Sequence, residues 1–382
     1  MPLQVNASPR VAIVHDYLTQ RGGAERVALA AVRALPGATL LTSVYEPSRT
    51  FPEFAQIPVQ RSWLDKVPLA RTDPRLAMPM MASTFQRMRV DNVDAVLCSS
   101  SGWSHGVQTD APKIVYCHNP ARWIYQPDDY FGAMPPAAQR GFRLLVKRLR
   151  AWDQEAARSA ATYLVNSTIV AARVLRHYGI QARVLPPPAG LLPDGPMEPV
   201  PGIEPGYLLT VGRRRSYKNT SAAALAVAAM PDEQLVIVGG LPDHPSGADW
   251  PSRIVGLEDL RDAQLRWLYA NARGLIAVAH EDFGLTPVEA FGFGTPVLAL
   301  RAGGYLDTCR DGLSGTWIHE ASPAGVMDAV ERFDATTFDA ERIREHAQRW
   351  TPERFARDLN AVVDRVVSGE VETTMTAGLI AS

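Results

Sequence analysis

The sequence predicts an α/β protein of two domains, each a parallel sheet wound with helices, and three observations lead there. The chain has 382 residues, too many for one ordinary core and enough for two. Short apolar runs of strand length alternate with helical stretches, first at Arg10-Val-Ala-Ile-Val-His15. An unbroken apolar run with β-branched residues suits a sheet covered on both faces. A proline-rich stretch from Val184 to Pro201 then interrupts the alternation, which restarts after it.

Taken in order, the strand at Arg10 to His15 leads through a loop ending in Gly22-Gly23 to a helix from about Ala24 to Leu35, then to a strand around Thr39 to Tyr45. Runs at Asp94 to Cys98 and Lys113 to His118 extend the sheet, and Ala161 to Asn166 supplies one of its last strands. Between them Gln139 to Arg158 reads as a long helix. Proline lacks an N–H and fixes φ, so Val184 to Pro201 cannot be helix or central strand. It reads as an interdomain linker, with the boundary near residues 186 to 205. The second domain offers strands at Tyr207 to Val211, Gln234 to Val238, Arg253 to Val255, Gly274 to Ala279 and Val297 to Leu300. Helices fall over Thr220 to Ala229, Asp262 to Asn271 and finally Pro352 to Val367, and the polar tail from Ser368 should fray. The expected domains are residues 1–190 and 205–350. Two such Rossmann-like sheets, facing each other, would put strand C-termini on both walls of a cleft.

Composition narrows the function. With 39 basic against 40 acidic residues the net charge is −1, so no global field calls for nucleic acid as a partner. Cys98, Cys117 and Cys309 are too scattered for a disulfide framework or a zinc site. No apolar run nears the roughly 18 residues that span a bilayer, and the N-terminus lacks a secretory pattern. A cytoplasmic protein is expected. There is no Asp-x-Asp, only the adjacent Asp128-Asp129, so the sequence predicts neither a bound metal nor a cofactor.

Chemistry concentrates at four places. In His280-Glu-Asp-Phe-Gly-Leu-Thr-Pro-Val-Glu289, two acids stand eight residues apart across a strand-to-helix junction. Thr286 suits the N-cap and Pro287 the first helical position, so backbone N–H groups and a positive dipole end would face a phosphate. Glu281 should lie in the loop and Glu289 inside the first helical turn. Thr286 and Glu289 equally fit a capping box, which would make Glu289 structural. Gly212-Arg213-Arg-Arg-Ser-Tyr-Lys218 puts four cations in six residues after the second domain's first strand, suited to a diphosphate or to solvent. Arg213 and Lys218 are the favoured pair. Gly22 and Gly23 either let a ligand approach the backbone or merely make a tight turn. They lack the Gly-x-Gly-x-x-Gly of a dinucleotide site.

Tyr116-Cys-His-Asn-Pro-Ala-Arg122 ends a strand with His118, a hydrogen-bond donor to a sugar hydroxyl or phosphate, or a structural histidine. Arg122 is a candidate for phosphate or an acidic acceptor, or a structural ion pair. Gln139 to Arg150 combines basic residues with Phe142, Leu144, Leu145, Val146 and Leu149. Core packing with a solvated basic face, or peripheral contact with the inner membrane surface, are its two readings.

With these motifs together, the chain resembles the retaining glycosyltransferases of family GT4, which have the two-domain GT-B fold. His15 to Val27, Tyr116 to Arg122, Gly212 to Asn219 and Arg253 to Gly315 carry the resemblance, the last with its Glu-x7-Glu motif. It implies that Glu281 contacts the transferred sugar and that Glu289 holds the ribose. It assigns the diphosphate to Arg213, Lys218 and the N–H groups of Leu285 and Thr286, within a donor-binding set that includes Gly212, Phe283 and Gly284. Gly23 matches the first-domain loop glycine, and His118 a histidine that contacts the donor sugar. The final helix, about 351–367, would cross back to the first domain. The Tyr-Cys-His-x-Pro-x-Arg pattern and the Gly-Gly-Ala-Glu-Arg-Val loop resemble those of bacterial mannosyltransferases that build surface polysaccharides on lipid-linked saccharide acceptors, which favours GDP-mannose as donor. Sugar phosphorolysis, epimerisation, or nucleotide-sugar binding without catalysis are the alternatives.

Overall fold

The computed structural model describes residues 8–72, 77–126, 136–212 and 218–370, with side chains described except at 79 and 136–144. The chain forms two compact units, Met1–Pro188 with Pro352–Ser382, and Ala189–Thr351.

In the first unit a seven-stranded sheet runs β3-β2-β1-β4-β5-β6-β7. Its strands are β1 (Val11–His15), β2 (Thr39–Thr42), β3 (Val59–Arg61), β4 (Ala95–Ser100), β5 (Lys113–Cys117), β6 (Thr162–Val165) and β7 (Arg183–Val184). Every pairing is parallel. Side chains alternate across a strand: Ala12 and Val14 of β1 enter one apolar cluster, Val11 and Ile13 the other. Both faces are therefore covered, as the unbroken apolar run implied. The second unit holds a six-stranded parallel sheet ordered β10-β9-β8-β11-β12-β13. These are β8 (Leu208–Val211), β9 (Leu235–Val238), β10 (Ile254–Leu257), β11 (Gly274–Ala277), β12 (Val297–Leu300) and β13 (Gly315–Ile318). Each sheet reverses its winding beside its first strand, between β1 and β4 and between β8 and β11. Loops leaving those neighbours diverge and leave a crevice at the strand C-termini.

The helix Pro352–Val367 packs against the first unit. Phe355, Leu359, Val362, Val363 and Val366 form one apolar stripe and join the cluster containing Val27, Ala28, Leu29 and Ala31 of the helix Gly23–Ala34. Each fully buried aliphatic or aromatic side chain contributes about 1.5–3 kcal/mol. Asn360 Nδ2 donates to the Ala34 carbonyl at 2.9 Å, answering one of that helix's open C-terminal acceptors.

The expected linker is not free chain. Residues 189–207 lack regular structure, but Leu191 and Val200 are buried in the second unit's core. Glu198 N donates to the Ala263 carbonyl at 3.0 Å, and Arg266 Nε to the Leu192 carbonyl at 2.9 Å. Proline forbids regular structure here without forbidding packing, and the division falls at Pro188, within the expected stretch. Among the described residues, no helix is long and apolar enough to cross a membrane.

One carboxylate ties the loops at the first switch point. Asp16, immediately after β1, accepts from Ser101 N and Ser104 N at 2.7 Å each. Burial pushes its carboxyl above the usual range, with His15 and the two backbone donors opposing that shift. Asp16→Asn keeps one acceptor and turns an NH2 toward the other donor, so unfolding free energy should drop by about 2 kcal/mol in urea titrations.

Candidate functional site

In the second unit the residues singled out from sequence meet beside β8 and β11. Lys218 Nζ donates to Glu281 Oε1, and both side chains are about one-fifth exposed. Lys218 closes the loop after β8 and Glu281 lies in the loop after β11, so the sheet's strand order brings them together. Asn219, with φ 51°, turns the chain after Lys218, and its Nδ2 donates to the Ala321 carbonyl at 2.9 Å. The stem of Lys218 lies along Gly212, where a Cβ would sit 3.3 Å from Lys218 Cδ. Arg213, Arg214 and Arg215 lie outside the described residues, as do Asp128 and Asp129.

The helix after Glu281 starts earlier than expected. It spans Leu285–Gly292, and its N-cap is Gly284, with φ 92° and ψ 73°, instead of Thr286. No side chain caps it, which excludes the capping box. Thr286 is the second helical residue and Glu289 the fifth, two residues further in than expected. A left-handed residue at the cap leaves the N–H groups of Leu285 and Thr286 as the helix's leading donors. Glu289 Oε2 accepts from the Tyr269 hydroxyl at 2.8 Å. Burial, and then the Glu289 carboxylate, hold that phenol well above its ordinary range, so it stays a donor. Tyr269 was not legible as a partner, because 20 residues separate the two in sequence.

Two glycines missed in the sequence support this loop. Gly304 N donates to the Glu281 carbonyl at 2.9 Å. A Cβ on Gly303 would stand 2.3 Å from that carbonyl oxygen, and one on Gly304 would stand 2.4 Å from Phe283 Cα. Tyr305 underlies Gly284, where a Cβ would come within 2.4 Å of its ring. Phe283 is buried beneath the loop. The signal was present as Gly303-Gly304-Tyr305 after β12, but close backbone approach cannot be seen without its partner.

In the first unit His118 directly follows β5 and is 9% exposed. Its Nε2 shares a hydrogen bond with Ser99 Oγ at 2.8 Å. Ser99 Oγ in turn meets His15 Nδ1 at 3.0 Å. The His118 backbone is held on both sides, N donating to the Ser100 carbonyl at 2.9 Å and its carbonyl accepting from Asn166 Nδ2 at 3.0 Å. Burial, then the nearby His15, push the His118 imidazole down to about 3, so it is neutral near pH 7. Gly22 is the N-cap of the helix Gly23–Ala34, with ordinary extended φ −125°, and Gly23 is exposed. Neither needs glycine for its φ. Arg122 opens the short helix Arg122–Tyr125 and is partly exposed. The loops after β4 and β5 close on each other at Gly102, φ 125°, where a Cβ would lie 2.5 Å from Ala121 Cβ.

Residues 21–189 match the model for Glycosyltransferase Family 4, and residues 200–350 match Glycosyl transferases group 1. A D-inositol 3-phosphate glycosyltransferase from Mycolicibacterium gilvum is 32% identical over 157 residues, covering 36% of this chain and 35% of that protein. The human alpha-1,3/1,6-mannosyltransferase ALG2 is 24% identical over 94% of this chain and 96% of its own length. Among solved structures, Anabaena Alr3699/HepE, in complex with UDP and glucose, superposes with a TM-score of 0.67 at 15% identity, covering 93% of this chain and 99% of that one.

Gly284→Ala should be destabilised by about 2 kcal/mol or more, from positive φ plus the Tyr305 contact, read as a lowered urea midpoint. For His118 the sign follows from its depressed value. As pH falls below about 6.5 the unfolded chain takes up a proton there that the folded chain refuses until about 3, so stability is lost across that window. Denaturation of His118→Gln at pH 7 and pH 4.5 should show a smaller acid loss than the wild type.

Proposed function

The chain belongs to glycosyltransferase family 4, and on that premise we propose that it moves a hexose from a nucleotide diphosphate sugar to an acceptor hydroxyl with retained anomeric configuration. The observation that carries this reading is the meeting of Lys218 with Glu281, in the loop that leads into the helix whose first N–H groups are those of Leu285 and Thr286. A cation held at that loop and the helix dipole that follows it suit the charge that builds on a departing diphosphate. Arg213 is assigned to the same diphosphate by the family pattern, and a grip by cations and backbone donors requires no metal.

In this reading Lys218 leaves Glu281 for the diphosphate when donor binds, which frees the Glu281 carboxylate to orient the sugar at its reacting end. A departing phosphate oxygen takes the acceptor proton, so no separate protein base is needed. Glu289, held by Tyr269, accepts from the ribose hydroxyls. The family pattern assigns His118 to the donor sugar. The full-length likeness to a mannosyltransferase favours mannose and hence GDP-mannose. The neighbour solved with UDP and glucose makes UDP-glucose the competing donor. The acceptor is a carbohydrate or a lipid-linked saccharide, in surface polysaccharide or glycoconjugate synthesis on the cytoplasmic side of the membrane.

Melting-temperature screens with GDP-mannose, UDP-glucose and ADP- and TDP-sugars identify the donor, because a ligand bound only by the folded state raises the transition. Glu281→Gln should lower kcat by about a hundredfold or more with donor affinity within about threefold, whereas Glu289→Ala should weaken donor binding about tenfold. Wild-type turnover and affinity in both variants would overturn the assignment.

A further inference from the structure

Behind His118 lies a buried polar chain that the reaction as described does not use. It runs from His118 Nε2 to Ser99 Oγ at 2.8 Å, then to His15 Nδ1 at 3.0 Å, and His15 Nε2 stands 4.0 Å from Glu25 Oε1. Glu25 is 1% exposed, His15 2% and Ser99 2%. Its Oε1 accepts from Gln20 Nε2 at 2.9 Å, and its Oε2 is buried without a hydrogen-bond partner. The remaining ring nitrogen of His118, Nδ1, has no hydrogen bond among the described residues, and it is not among the buried atoms left without a partner. That nitrogen is the open end of the chain.

Polarity along such a chain is set by its ends, since a neutral imidazole has one donor and one acceptor and a hydroxyl donates once. A carboxylate oxygen facing His15 Nε2 favours a proton on that nitrogen, since the opposite arrangement sets two lone pairs face to face. His15 Nδ1 is then an acceptor, which takes the Ser99 hydroxyl proton. Ser99 Oγ is left to accept from His118, which must carry its proton on Nε2. A doubly protonated His15 would reverse the order. The spectra that test the proposal separate the two orders, since a reversed chain leaves His118 with its proton on Nδ1.

We propose that Glu25, through His15 and Ser99, fixes His118 in its Nε2–H form, so that Nδ1 presents a lone pair and accepts a proton from a sugar hydroxyl. This rests on the donor-sugar role given to His118 above and reverses the donor role that its sequence position suggested. Glu25, His15 and Ser99 are positioning residues for a site that selects a ligand group able to donate, and it discriminates against a ligand carrying only an acceptor there.

The test begins on the full chain without sugar. With ring-15N histidine, long-range proton–nitrogen spectra at pH 7, with His118 assigned by its loss in His118→Gln, should show Nε2 protonated and Nδ1 bare. An Nδ1–H form or an imidazolium would overturn the proposal, whatever the protein's activity. Absence of glycosyl transfer with the expected spectrum would instead overturn the functional reading and leave the tautomer standing. Glu25→Gln should mix the two forms and raise KM for the best donor about tenfold with little change in kcat. In the His118→Gln background the same change should leave KM unaltered. An equal effect in both backgrounds would mean that Glu25 acts on the fold and not through His118.

Discussion

A parallel sheet sends all its chains off the same edge, and the point where its winding reverses is the one place where two neighbouring loops must part. In the second unit that constraint falls between β8 and β11. The loop after β8 ends in Lys218 and the loop after β11 begins with Glu281, so a cation and an acid 63 residues apart meet without either being placed by its own neighbours. The backbone secures what the strand order begins. The Glu281 carbonyl is held by Gly304 N, and Gly303, Gly304 and Gly284 each leave out the Cβ that would push the loop outward. Tight packing of this kind resists gradual adjustment, which is why a single methyl group there acts on the whole loop.

The first unit meets the same constraint differently. Its switch point lies between β1 and β4, and the groups brought together are nearly dry. Charges at such a place are expensive unless answered, and Asp16 is answered by two backbone N–H groups. Histidines can remain neutral, and His118 does so by a wide margin. A partly exposed ion pair in one unit and a buried neutral histidine in the other are thus two responses to different degrees of burial at the strand ends of two sheets.

Much of this was legible because buried parallel strands leave a plain trace. β1, β5, β8 and β12 appear as unbroken apolar runs, and the helices at Asp262–Asn271 and Pro352–Val367 carry their own periodicity. The short edge strands Val59–Arg61 and Arg183–Val184 do not, since an edge of two or three residues needs no apolar run. Glu281, Lys218 and His118 could be picked out as chemically loaded residues at strand ends. Tyr269, Asn219, Gly303 and the chain from Glu25 to Ser99 could not, because each matters only through a partner supplied by the fold. Thr286 misled for a related reason. Threonine before proline is a good local start signal, but a glycine able to adopt φ 92° two residues earlier let the helix begin sooner.

The earlier start has a chemical consequence. Had Thr286 capped the helix with its own oxygen, it would have answered a donor that the end of a helix otherwise presents to a ligand. A glycine cap supplies no such acceptor, and Pro287 as the third helical residue has no N–H to offer. The leading donors are therefore confined to Leu285 and Thr286, on the same stretch of chain as Glu281, while Glu289 lies a turn deeper against Tyr269. An anion drawn, as proposed, to those two N–H groups and to Lys218 would meet the Glu281 carboxylate beside them, and the local backbone decides where that carboxylate stands.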